Sequence, residues 1–389
     1  VHTGSTYLWT VTGGSISGSN SSTAVTVVWN GAGTGVVSVA ETSTGCVGTS
    51  TPMNVTINAL PTPSVTSSTG GLATVGVCAG STHTYSTQNN IGSTYLWTIT
   101  GGTATNGLTG ASVTILWGNA GTGSIKVKEM NAAGCVTETT PSTITVNALP
   151  TPSVTGNTSA CTGVSQTYST ASVAGNSYSW SVKLNGNPIT FTQTNNSITV
   201  TYTTSGTGEV SVTETNGTTG CSKQSASVFT VVTTMPTPGI SGVTSTCAGS
   251  TRTYSTASVA GNSYTWTVVP SGTQFTGQGT NSIVVTWGTA SGSVQVTERA
   301  GGNSNCTVTT AAYPVKVNAL PTPGITGASS ACVSTTATTA YTVTTPTTGS
   351  TYVWAVAGGV FSGASSGTSV NVIWNTAGVG TLGVTETTS

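Results

Sequence analysis

Met235-Pro236-Thr237-Pro238 opens a stretch that ends at a second proline pair, Pro321-Thr322-Pro323, and the text between them decides the fold. Cys247 comes early, ahead of the alternating Thr253-Tyr254-Ser255. Tyr264-Thr265-Trp266-Thr267-Val268, Ile283-Val284-Val285-Thr286-Trp287 and Val294-Gln295-Val296-Thr297-Glu298 follow, each with apolar residues at every second position. Cys306 and a last alternating run from Tyr313 to Val317 close the stretch. A period of two bounded by Gly, Asn and Ser turns is the pattern of strands with one buried face. Thr, Val, Tyr and Trp fit that pleated surface, and no segment carries a sustained helical period. Roughly seven short strands in such a unit predict an all-β fold, an immunoglobulin-like β-sandwich.

The same text recurs on both sides. Pro-Thr-Pro begins at Pro61, Pro150, Pro236 and Pro321, at spacings of 89, 86 and 85 residues, and Asn-Ala-Leu precedes it at Asn58, Asn147 and Asn318. The chain is therefore a tandem array. Its expected modules are 61–149, 150–235 and 236–320, flanked by partial modules at 1–60 and 321–389. The first has only later strands and the last lacks the final strand, and residues 1–44 align without gaps to 346–389. A window from a longer array accounts for this, as does completion of the end modules by neighbouring chains. Proline fixes φ and holds its predecessor extended, so each Pro-Thr-Pro is a short stiff link and the array is expected to form an extended rod.

Charged residues make up 4% of the 389, against about 25% in an ordinary soluble domain. Seven Lys and Arg balance seven acidic residues, all Glu, and there is no Asp. This excludes a basic nucleic-acid surface and an acidic tail. No run of about 18 apolar residues could span a membrane as a helix. With zero net charge nothing repels neighbouring copies. A Thr/Ser-hydrated secreted polypeptide fits that balance, as does a surface that uses lateral contact in a fibre.

The cysteines keep module phase. Cys78 and Cys135, Cys161 and Cys221, and Cys247 and Cys306 lie 57, 60 and 59 residues apart, which predicts one bridge inside each module. Such a loop would stabilise by about 4 kcal/mol in the chain-entropy model and points to an oxidising compartment. Cys46 and Cys332 are left without in-module partners. Zinc is the alternative, but the chain has no Cys-x-x-Cys and only His2 and His83 as imidazoles. Trp97, Trp117, Trp180, Trp266 and Trp287 fall on the inward phase and are expected in the cores. Glu41, Glu129, Glu214, Glu298 and Glu386 share one module position on that phase. A carboxylate there is expected to accept backbone N–H bonds from the next loop. They are too dispersed for paired-carboxylate chemistry, and calcium would need clustered carboxylates.

The other constellations are weaker. His83 stands where other modules place Gln166 or Arg252, which marks a solvent-facing strand residue. Gly31-Ala32-Gly33-Thr34-Gly35 is followed by no Lys-Ser/Thr and reads as a turn. Sequons such as Asn20-Ser21-Ser22 matter only if the source glycosylates asparagine. The recurring order Cys, Tyr-x-Trp, Gly-Gly, Val-x-Trp, Gly-x-Gly, Val-x-Glu-Thr, Gly-Cys and Val-Asn-Ala-Leu-Pro-Thr-Pro resembles the PKD-like immunoglobulin-type repeats of large secreted Bacteroidota surface proteins. That resemblance implies export by the type IX route and a role as stalk, adhesin or extracellular fibre. PKD domains usually carry a Trp-Asp-Phe-Gly-Asp-Gly-like segment, which a chain without Asp cannot have. The expectation is a non-enzymatic extracellular segment with no catalytic, metal or cofactor site. Its partners would be neighbouring modules or copies of itself in a fibre, with a surface glycan or protein receptor as adhesion target. Neither nucleic acid nor membrane insertion is expected. A glycan-binding accessory module of a secreted degradative enzyme is the alternative.

Overall fold

The computed structural model describes residues 1–68, 76–303 and 305–388, and all regular structure in them is strand. Two compact units emerge. One holds Val1–Thr158, Ser165–Thr201 and Gly206–Thr230; the other holds Ser159–Val164, Tyr202–Ser205 and Val231–Ser389. The division runs inside residues 150–235 because the short strand Ser159–Cys161 is bonded to residues that follow Val231, as described below.

In the first unit, residues 61–149 form a two-sheet sandwich. One sheet runs in the order Thr94–Thr100, Gly121–Met130, Ser142–Asn147, Val77–Cys78, and the other runs Gly102–Ala104, Ser112–Trp117, Thr82–Ser86, Thr66–Ser67. Residues on the inner faces alternate as the pleat requires. Tyr95, Trp97, Val113, Ile115, Trp117, Ile125 and Val127 form one core, with Tyr85 edge-on to Trp117 at 6.0 Å between ring centroids. Residues 1–60 of the same unit pair Thr6–Thr12 and Met53–Ile57 with Gly33–Ser43. Ser177–Leu184 pairs there with Gly206–Thr215, setting Trp180 opposite Val212.

In the second unit, residues 236–320 repeat the plan. Ser245–Cys247, Tyr313–Asn318, Gly292–Arg299 and Ser263–Val269 make one sheet; Thr251–Ser255, Ser282–Thr286 and Gln274–Thr276 make the other. The core is again built on Tyr254, Trp266 and Trp287. A further core in this unit gathers Tyr341, Tyr352, Trp354, Val370 and Val372.

Two features of composition acquire a place. Outward strand positions are largely Thr and Ser, and hydroxyls pair across strands where ion pairs would otherwise stand, as in Thr84–Thr114 at 3.0 Å and Thr297–Thr309 at 2.8 Å. Some glycines are packing residues. A Cβ at Gly123 would lie 2.5 Å from the Trp117 ring, and one at Gly242 would overlap the Tyr254 ring.

Candidate functional site: the cross-module cysteine junctions

The first half of each junction is a strand that ends in cysteine. Val77–Cys78 lies parallel to the last strand of its module, with Cys78 opposite Asn147; Cys161 stands likewise opposite Thr233, and Cys247 opposite Asn318. The turn beyond each cysteine is fastened to that same residue. Ala79, Thr162 and Ala248 donate their amides to the carbonyls of Asn147, Thr233 and Asn318, each at 2.9 Å. The Cys161 junction adds a bond from the Met235 amide to the Thr162 hydroxyl at 2.9 Å, which ties down the residue before Pro236. These cysteines therefore mark the end of the module where the chain leaves for the next.

The second half is a Gly-Cys turn at the opposite end. Gly121 pairs with Val146, near Cys78, whereas Met130 at the far end of the same strand pairs with Thr94 and leads into the turn of Cys135. A strand of 10 residues is roughly 30 Å long. A bridge needs Cα atoms within about 7 Å. Cys78 and Cys135 cannot meet, and the same layout separates Cys161 from Cys221 and Cys247 from Cys306.

The bridges instead join successive modules. Cys78 bonds Cys221, 143 residues on, and Cys161 bonds Cys306, 145 residues on, each with 5.5 Å between Cα atoms. This corrects the in-module pairing predicted from spacing. Cys135 and Cys247, expected to be bridged, are free thiols, as are Cys46 and Cys332. Spacing alone misled because every cysteine recurs at module phase, so a partner one module away is as regular as one inside it. Strand register, which the spacing does not contain, decides between them.

The second junction is dry. Cys306 is fully buried and packs with Cys161, Ala300 and Met235. Asn303 donates its side-chain amide to the Ala160 carbonyl at 3.2 Å, a further bond across the modules. In the first unit the turn of Cys135 makes the matching approach to the end of residues 1–60. Asn131 Nδ2 donates to the Ala59 carbonyl at 2.8 Å, and Cys135 Sγ lies 3.8 Å from the Asn58 carbonyl.

The recurrent glutamates stiffen the turn-bearing end. Glu129, Glu214 and Glu298 are buried, opposite Tyr95, Tyr178 and Tyr264. They were expected to accept backbone amides. They accept side-chain amides instead, from Asn90 at 2.8 Å, Asn176 at 2.6 Å and Asn262 at 2.7 Å. Sequence reasoning missed these asparagines, although Gly175-Asn176-Ser177-Tyr178 and Gly261-Asn262-Ser263-Tyr264 repeat letter for letter and offered the signal. Each tyrosine hydroxyl pins the preceding loop. Tyr264 donates to the Ala257 carbonyl at 3.2 Å and accepts from the Val259 amide at 2.8 Å.

Glu41 and Glu386 are half-buried and take tyrosine hydroxyls, from Tyr7 at 3.1 Å and Tyr352 at 2.9 Å. Glu386 is held below the ordinary carboxylate value by the Ser350 hydroxyl first, an effect that burial opposes and Tyr352 and Thr347 reinforce. Ser5 leads the same lowering at Glu41, with His2 beside it at 2.8 Å. Neither serine hydroxyl makes a hydrogen bond of full geometry.

Trp97, Trp117, Trp180, Trp266 and Trp287 are buried. Trp97 and Trp266 donate their indole N–H to the carbonyls of Gly110 and Thr280 at 2.9 and 2.8 Å. His83 is half-buried and bonded to Ser81 at 3.0 Å. Among the described residues no group of three or more His, Cys or Glu is placed to hold a metal ion. No helix among them is long and apolar enough to cross a membrane.

Residues 147–231 and 233–317 each match the PKD-like domain family. The boundary between these two segments falls at Val232, shortly before Pro236. The two segments are tandem PKD-like domains within an all-β chain. Among solved structures it is similar to the ICAM-5 D1–D4 ectodomain fragment, at 11% identity over 80% of this chain and 95% of that chain, with a TM-score of 0.36. It is similar also to the I-band fragment I67–I69 from titin, at 12% identity over 62% and 94%, with a TM-score of 0.32. The bacterial integrin-binding protein invasin gives 16% identity over 85% and 75%, with a TM-score of 0.29. No curated protein matches the sequence.

Proposed function

We propose that the chain is a non-enzymatic structural segment of a secreted surface protein, working as the stalk or filament of an adhesin. The observation that carries this reading is the placement of the bridges. A disulfide inside a module protects that module, whereas one between modules holds the array together across its links. Such bonds persist outside the cytosol, which supports an extracellular location. The aromatic side chains support the same reading. Among the described residues Phe229 alone is well exposed, so the rings serve the cores and the surface is left to hydroxyls.

Immunogold electron microscopy of intact cells, with antibodies raised against residues 236–320, tests the proposal. Label along fibres or stalks projecting from the surface is the expected result. Label confined to the cell interior, or found only on a soluble secreted enzyme, would rule it out.

A further inference from the structure

In the second unit a cavity of about 450 Å³ opens beside the proline link at Pro236. Of the residues around it Val232, Pro236, Ala300 and Glu298 are buried, while Ala257, Val259 and Ala260 are exposed, so Glu298 lies at its base. The volume falls in the range of small-ligand sites, roughly 300–1,000 Å³. The walls are preformed. Ala300 and Met235 pack against the Cys161–Cys306 bridge. The loop 257–262 is pinned by the Tyr264 hydroxyl and by the bonds that Asn262 makes to Glu298 and Gly301.

Among the described residues Glu298 is the only ionisable side chain that lines the cavity, and it is 2% exposed. Asn262 Nδ2 donates to its Oε1 at 2.7 Å, and no described residue donates to its Oε2. At Glu214 the hydroxyl of Tyr178 adds a second bond at 3.5 Å, but Tyr264 gives its proton to the Ala257 carbonyl instead. Glu129 also has a single donor, yet its Oε2 is sealed from solvent. Glu298 combines an unused oxygen with an open cavity.

A buried charge with one neutral donor lacks the counterpart that would offset its lost hydration. Charge complementarity calls for a cation. Among the described residues Glu298 belongs to no group of three or more His, Cys or Glu, so the clustered carboxylates that calcium wants are lacking. A guanidinium binds a carboxylate through both oxygens, and Asn262 already takes Oε1. An ammonium needs one oxygen, and an aliphatic stem suits walls of Val232, Pro236 and Val259.

We propose that this cavity binds a primary ammonium carried on an unbranched aliphatic stem, with the ammonium on Glu298 Oε2 and the stem along the proline link. Lysine side chains and free alkylamines share that chemistry. The inference rests on the cavity and its carboxylate, and stands whether or not the array works as a stalk.

The test follows the Asn262 side-chain amide and the Gly301 amide by NMR of the full, oxidised, nitrogen-15-labelled chain during titration. n-Butylammonium and Nα-acetyl-lysine methylamide are the probes; n-butanol and Nα-acetyl-arginine methylamide are the controls. Saturable shifts are expected, with a probe binding about tenfold tighter than n-butanol. A response to the lysine derivative alone assigns the site to a side chain presented by a polypeptide, and one to n-butylammonium alone assigns it to free amines. Glu298→Gln should weaken binding by about tenfold or more, whereas Glu129→Gln leaves it unchanged. Ala260→Trp narrows the mouth from an exposed position, keeps the carboxylate, and should weaken binding comparably. The proposal is overturned if neither probe gives saturable shifts, if either control binds as tightly, or if calcium saturates the same shifts at lower concentration. Unchanged affinity in Ala260→Trp, or in a folded Glu298→Gln, overturns it equally.

Discussion

At the residue scale, the buried glutamates show how a nearly uncharged chain uses the few charges it has. Glu298 is buried opposite Tyr264, and Asn262 both donates to it at 2.7 Å and accepts the Gly301 amide at 3.0 Å. Asn262→Ala leaves the carboxylate without that donor and should destabilise by about 1–3 kcal/mol in chemical denaturation. Glu298→Gln, which can keep an amide contact, should cost less. Glu386 adds a pH dependence. Its folded value lies below the ordinary 4.5, so the stability it contributes is present above that value and is lost as pH falls through the lowered one. A carboxyl titration followed by NMR should place the Glu386 midpoint under 4.5, and Ser350→Ala should move it up. A midpoint at or above 4.5 would show that Ser350 and Tyr352 do not favour the charge.

At the element scale, alternation alone made the strands legible, because a period of two is a local property of the sequence. Tyr264, Trp266 and Val268 announced a buried face, and the register of Ser263–Val269 on Gly292–Arg299 places them on one. Bridge partners were not legible, since which end of a 10-residue strand a cysteine occupies depends on pairing between distant segments. Packing glycines were hidden for a similar reason. Gly121, the first residue of its strand, has a positive φ of 152°, whereas Gly123 carries the Trp117 ring over its Cα, and in sequence the two look alike. Gly123→Ala should destabilise by about 1–3 kcal/mol through overpacking, measured as a lower thermal midpoint. A neutral substitution would mean that the Trp117 ring can move aside at little cost.

At the scale of the whole molecule, the two bridges interleave, since Cys161 lies inside the loop closed by Cys78 and Cys221. The backbone from Cys78 to Cys306 has 228 steps, but the route through both bridges needs only the 60 between Cys161 and Cys221. Pulled in an atomic force microscope, that stretch should extend to about 200 Å oxidised and about 800 Å reduced, at roughly 3.5 Å per residue. Equal extensions would mean that the bridges do not bear load. The interleaving also bears on survival among extracellular proteases. Cut once at any peptide bond between Cys78 and Cys306, the polypeptide remains in one piece, because a second covalent route always bypasses the nick. A digest that nicks this region should therefore leave the mass of the non-reduced protein almost unchanged and release fragments only after a reducing agent is added.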